Sequence, residues 1–127
     1  MIVAMRPELI MLDEQRDGDS LTIVAVLIRN NEEFRGQATG PADASTHLDI
    51  VCRATLEAAK VASDRHLDVD FAGLAITDVQ SKPIALALVR VDNGENVYVG
   101  TARVKSDGAT KAVARAIMDA INRPLFG

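Results

Sequence analysis

The sequence predicts an α/β fold of the α+β type: two successive βββα units, with antiparallel or mixed strand pairing and two helices packed on one face. Three observations predict it. Two near-continuous apolar runs, Leu21–Ile28 and Ile84–Val91, have the length and branched-residue content of strands covered on both sides. Two later segments place apolar residues at the i, i+3, i+4 spacing of an amphipathic helix. The order strand, strand, strand, helix then occurs twice along the chain.

The elements follow in order. A first strand is expected from Ile2 to about Leu12, bent or at an edge because Pro7 lacks a backbone donor. Asp17-Gly18-Asp19-Ser20 is a turn, Leu21–Ile28 a strand, and Asn30-Asn31-Glu32-Glu33 a second turn. Phe34–Thr39 alternates like a strand with one wet face. Gly40-Pro41 closes it, with Pro41 placed to open a helix and Asp43 or Ser45 placed to cap it. The helix buries Leu48, Val51, Cys52, Thr55, Leu56, Ala59 and Ala62 and exposes Asp49, Arg53, Glu57 and Lys60.

In the second half, Leu67–Val79 alternates, with Gly73 at a bulge. Ser81-Lys82-Pro83 is a turn, Ile84–Val91 a strand, Asp92-Asn93-Gly94 a hairpin turn, and Asn96–Val104 the sixth strand. Ser106 or Asp107 caps a helix that runs to about Asn122, and Pro124 stops it. The residues repeat as well as the order. Phe34-Arg35-Gly36-Gln37-Ala38 matches Tyr98-Val99-Gly100-Thr101-Ala102 at an offset of 64 (100 − 36), and Arg53–Ala58 matches Arg115–Ala120 at 62 (115 − 53). Slippage of two residues between strand and helix accounts for the difference. The chain is a single domain, 1–127, with pseudo-repeats of about 1–63 and 64–127.

Composition narrows the function. The 127 residues are 48% apolar and 25% charged, with a net charge of −4 and no Trp, so the core is built from Ala, Val, Leu and Ile. No Lys/Arg cluster offers the basic face that binds nucleic acid. No apolar run approaches the roughly 20 residues that span a bilayer, and no signal-peptide layout is present. A lone cysteine, Cys52, suits a reducing, cytoplasmic location.

The element Gly36-x-Ala38-x-Gly40-Pro41-x-Asp43-Ala44, followed in the second half by Gly100, Asp107, Ala112, Ala116, Ala120 and Asn122-Arg123, resembles the C-terminal regulatory domain of α-isopropylmalate synthases. The resemblance runs over nearly the whole chain and implies a pair of βββα units. It also implies pairing of two copies across a two-fold axis and leucine bound where units meet. By that resemblance the ligand-binding residues are Gly40, Pro41, Asp43 and Ala44, with Gly100 and Asp107 in the second half. The catalytic part of such synthases is a separate metal-binding barrel of about 250 residues, which these 127 do not contain.

The residues themselves offer little chemistry. His47 and His66 lack partners at metal-ligand spacing and read as surface or structural groups. Cys52 lies on an apolar helix stripe and reads as an inert thiol. Asp13-Glu14 and Glu32-Glu33 read as solvated acidic loops, and no phosphate-loop or nucleophile-elbow pattern occurs. A helix opening at Gly40-Pro41 could receive a carboxylate, or be a plain strand-to-helix turn. The reading is a non-catalytic regulatory module without metal or cofactor, binding a small amino acid or related metabolite. Its alternative is a homodimeric interaction domain without a ligand. An enzyme with a pocket at a dimer seam, near Asp43, His47 or Asp107, ranks third. A homodimer is expected because a sheet with both helices on one face leaves its other apolar face to be covered by a second copy.

Overall fold

Tight turns fold six strands among the described residues into two antiparallel sheets. The computed structural model of the protein describes residues 6–65, 67–92, 94 and 96–127. The elements are β1 (Glu8–Asp17), β2 (Ser20–Arg29), β3 (Glu32–Pro41), α1 (His47–Ala62), β4 (Val69–Val79), β5 (Lys82–Val91), β6 (Asn96–Arg103) and α2 (Ala109–Phe126). The βββα order therefore occurs twice. Pairing is antiparallel throughout and divided between two three-stranded sheets, β1-β2-β3 and β4-β5-β6, each with its most apolar strand in the centre.

Turn chemistry sets the register. Asn30 and Asn31 both have positive φ (53° and 64°), as do Gln80 and Ser81 (51° and 67°), the arrangement whose twist matches paired strands. Gly18 opens the β1–β2 turn at φ 58°. Gly94, at φ 89°, and Asp92, at φ 57°, lie in the expected β5–β6 turn, whereas Asn93 is outside the described residues. So are His66 and the start of the first expected strand, residues 1–5.

Several boundaries differ from expectation, each for a local reason. β1 begins only after Pro7 and continues to Asp17, through the stretch read as an acidic loop, because the turn at Gly18 pairs Asp17, Gln15 and Asp13 with Ser20, Thr22 and Val24. Glu32 and Glu33 likewise open β3, opposite Arg29 and Ile28. Lys82 and Pro83 belong to β5 rather than to a turn. Pro41 ends β3, an edge strand that tolerates its missing donor, and α1 starts only at His47. α2 continues through Pro124, since Leu125 and Phe126 are buried and hold the last turn in place. The bulge expected at Gly73 is present, as a register shift between Phe71 and Gly73.

That bulge has a twin between Leu9 and Met11, 62 residues earlier (71 − 9), so the duplication extends to an irregularity. The offset is 62 in the first two strands, 64 at the glycines Gly36 and Gly100, and 62 again in the helices. Four residues, 92–95, separate the paired Val91 and Asn96, against two between Arg29 and Glu32. The extra pair is removed again before α2.

Each helix packs on the inward face of its own sheet, and the two helices pack on each other. Ile23, Leu27, Ile117 and Ile121 are fully buried there, each burial worth about 1.5–3 kcal/mol. α1 also reaches β4, and α2 reaches β1. Arg53 of α1 lies over the Phe71 ring, 5.5 Å from its centroid, and the equivalent Arg115 lines a groove with Leu9, the residue equivalent to Phe71. The C-terminal end of α2 is tied to the segment after α1: Arg65 donates to the carbonyls of Pro124 (2.9 Å) and Gly127, and Ser63 Oγ donates to Leu125 (3.3 Å). Cations near a helix C-terminus complement its dipole. Arg29 adds a donor to the Ala62 carbonyl at the end of α1 (2.8 Å) and lies over the Phe126 ring.

In each unit a strand glycine lies against the backbone of its helix. A Cβ on Gly36 would stand 2.0 Å from the Ala58 nitrogen and 2.5 Å from the Ala54 carbonyl oxygen. A Cβ on Gly100 would stand 1.9 Å from the Ala116 oxygen and 2.4 Å from the Ala120 nitrogen. Both obstacles are backbone, so relief requires the helix to move. At Gly40 the neighbour is the flexible end of Ile50, at 2.9 Å. Gly36→Ala and Gly100→Ala should each lower stability in urea titrations by at least the 1–3 kcal/mol typical of overpacking, about the upper end or beyond. Gly40→Ala should cost clearly less.

Candidate functional site

The hairpin β1–β2 and the loop from β3 to α1 meet at one end of the first sheet. Arg16 and Glu14 stand on the inward side of β1, opposite Leu21 and Ile23. The loop is fastened to the hairpin by the Ala42 N–H donating to the Asp19 carbonyl (2.8 Å) and by Arg16 Nη2 donating to the Ala42 carbonyl (3.3 Å). Between them lies a cleft of about 360 Å³ lined by Glu14, Arg16, Leu21, Ala42, Asp43, Ala44 and His47.

Asp43 organises the loop. Its Oδ1 accepts from the Ser45 N–H (2.8 Å) and hydroxyl (2.9 Å), and its carbonyl accepts from the N–H groups of Thr46 and His47 (3.1 Å each). It therefore closes a side-chain turn just upstream of α1 instead of capping the helix. Thr46 holds the N-cap position without a side-chain cap, and its hydroxyl donates to Pro41 (2.9 Å). The Ser45 backbone N–H, then the Ser45 hydroxyl, hold the Asp43 carboxyl below its ordinary range, so it is ionised at neutral pH. His47 Nε2 and Glu14 Oε1 are hydrogen-bonded at 2.5 Å. The cleft thus joins a guanidinium, a fixed carboxylate and a His–Glu pair around an apolar lining of Leu21, Ala42 and Ala44.

Of the six expected ligand residues, the structure brings Asp43 and Ala44 to this cleft, with Gly40 and Pro41 just before them at the end of β3. Gly100 lies elsewhere, buried under α2 opposite Ala87. Asp107 is committed to Arg115: Oδ2 accepts from Nη2 at 2.6 Å and Oδ1 from Nη1 at 3.2 Å. Neither Ser106 nor Asp107 caps α2; Gly108 occupies that position at φ 97°. Glu14 and Arg16 were missed because the acidic stretch lacks apolar alternation. The signal that places them is the hairpin turn at Gly18, which forces the preceding residues into register with β2.

Cys52 is fully buried in α1, and desolvation, with a smaller contribution from Asp49, pushes its thiol up to about 12. Among the described residues no group of three or more His, Cys, Asp or Glu is placed to hold a metal ion. No helix among them is long and apolar enough to cross a membrane. A scan against protein-family models finds no match for this chain, and a search of curated proteins finds none either.

Two outcomes follow from these environments. The Cys52 thiol should resist alkylation at pH 8 in the folded protein and react promptly in denaturant. Because its folded pKa is raised above the ordinary 9.0, the stability it confers is present below pH 9 and lost as pH rises toward 12. For Asp107 the hydrogen bond from Arg115 lowers the pKa below 3.8, so its stabilisation is present above that value and lost as pH falls through the folded pKa. Asp107→Asn should flatten the decline in melting temperature below about pH 4.

Proposed function

We propose that the chain is a non-catalytic, cytoplasmic regulatory module that binds a small amino acid or a related metabolite and self-associates, with a homodimer as its smallest assembly. It would work in the manner of the α-isopropylmalate synthase regulatory domains that its Gly36–Ala44 element resembles. The observation that carries the reading is the cleft at the β3–α1 loop. Its volume of about 360 Å³ lies in the range of small-molecule sites, roughly 300–1,000 Å³. Arg16 suits a carboxylate, Asp43 suits an ammonium, and Leu21, Ala42 and Ala44 suit a short aliphatic side chain. The His–Glu pair adds polarity to the cleft. A reducing location agrees with the buried Cys52.

A second reading, a homodimeric interaction domain without a ligand, is favoured by the exposed Leu88, Val97 and Val99 (38%, 53% and 57% accessible) on the outer side of the second sheet. Thermal unfolding with millimolar leucine, isoleucine, valine and the corresponding 2-oxo acids separates the two. A ligand at a hundred times its dissociation constant stabilises by about 2.7 kcal/mol, a melting shift of several degrees in a domain of this size. The metabolite reading requires a saturable shift with one of these compounds that is lost in both Arg16→Ala and Asp43→Ala. No shift with any of them leaves the ligand-free reading.

A further inference from the structure

The two sheets present outer faces that the duplication made equivalent in backbone and that now carry opposite charge. Residues opposed across an antiparallel ladder share a face, so the register assigns each side chain. In the first sheet the inward set includes Ile23, Ala25 and Leu27, and the outer set is centred on Thr22, Val24 and Ile28, with Val26 on the same side but buried within the chain. In the second, Ala85, Ala87 and Val89 point inward, and Ile84, Leu86 and Leu88 point outward.

Among the described residues, Glu8, Asp13, Asp17 and Glu33 stand around the first outer row, countered only by Arg35, which is already 3.5 Å from Glu33. Four acids and one base give that face a formal charge of −3. Around the second, again among the described residues, stand Lys82, Arg90 and Arg103, countered by Asp70, for a formal charge of +2. Among the described residues none of these three cations forms an ion pair. The basic face also carries the exposed Leu88, Val97 and Val99.

From this charge complementarity we infer that the occupant of the basic face is the acidic face of a second copy of the chain. The inference rests on the self-association proposed above and adds to it which surfaces meet. Like-on-like pairing would set three acidic charges against three, or two basic against two, across a desolvated contact, which is costly. Unlike pairing places Lys82, Arg90 and Arg103 against carboxylates while the exposed Leu88, Val97 and Val99 close on the half-buried Thr22, Val24 and Ile28. Such a contact is heterologous: a dimer made by it retains one face of each kind, so association continues with concentration into a ring or a filament according to whether the rotation closes.

The test is sedimentation velocity on three proteins at up to roughly 100 µM, a concentration that detects association far weaker than that of standard interfaces. They are the unaltered chain, the triple variant Lys82→Glu/Arg90→Glu/Arg103→Glu, and the triple variant Asp13→Lys/Asp17→Lys/Glu33→Lys. All six positions are exposed, and a melting curve for each variant verifies the fold. The unaltered chain should form dimers and larger species, each variant alone should be monomeric, and an equimolar mixture of the variants should reassociate at a 1:1 ratio. In 1 M salt, where the screening length falls to about 3 Å, association of the unaltered chain should weaken by about tenfold or more. Variants that remain associated alone, a mixture that stays monomeric, or association unaffected by salt overturns the pairing of unlike faces. An unaltered chain that is monomeric throughout overturns the self-association beneath it, and binding of that monomer to anionic vesicles would assign the basic face to a lipid surface.

Discussion

The packing of a bare backbone against a helix, made once by Gly36 and once by Gly100, is the contact on which the rest of the structure depends. A strand glycine normally weakens its sheet, because it has no side chain to pack. Here the missing side chain lets α1 and α2 lie directly on β3 and β6, with the alanine pairs Ala54/Ala58 and Ala116/Ala120 at the points of contact. The helices also pack on each other, and their shared surface joins two three-stranded sheets that, among the described residues, exchange no ladder hydrogen bonds. An alanine-rich, aromatic-poor sequence is what such thin packing requires. Small side chains bury fully without holding layers apart, and no buried side-chain polar atom among the described residues lacks a partner.

Where the two halves have diverged is informative about use. The backbone repeat preserves even the bulges at Leu9–Met11 and Phe71–Gly73, yet the ends of the units differ. In the first unit Arg16 and Glu14 stand at the hairpin end beside Asp43 and line a cleft. In the second, Asp78 and Ile76 hold the equivalent positions, and Asp107 is taken by Arg115. The outer faces have separated in charge as well. Divergence has therefore fallen on surfaces, while the glycine–alanine contacts are common to both units.

Much of the fold was legible because periodicity reports burial. The two central strands announce themselves as apolar runs, and both helices follow from stripes that end in Ala62 and Ile121. The Gly36/Gly100 match pointed to duplication before any contact was visible. What escaped was governed by partners distant in sequence. β1 extends through Asp13–Asp17 only because β2 pairs with it, and α2 passes Pro124 only because Leu125 and Phe126 find a buried place near Arg29 and Arg65. The cleft was half legible: Asp43 and Ala44 lie in a recognisable element, whereas Arg16 enters through hairpin register. Gly100 and Asp107 were ligand residues only by the family resemblance; the structure places Gly100 against α2 and Asp107 in an ion pair with Arg115.

The central claim is that the two glycine contacts hold one cooperative structure rather than two adjacent ones. Native-state hydrogen exchange on Gly100→Ala tests it most directly, because exchange reports stability amide by amide. If the helix pair couples the units, the substitution should lower protection of the slowest amides in β2 as much as in β5, although Gly100 lies in the second unit. Loss of protection confined to β4, β5, β6 and α2, with β2 unchanged, would contradict the account and make the units independent.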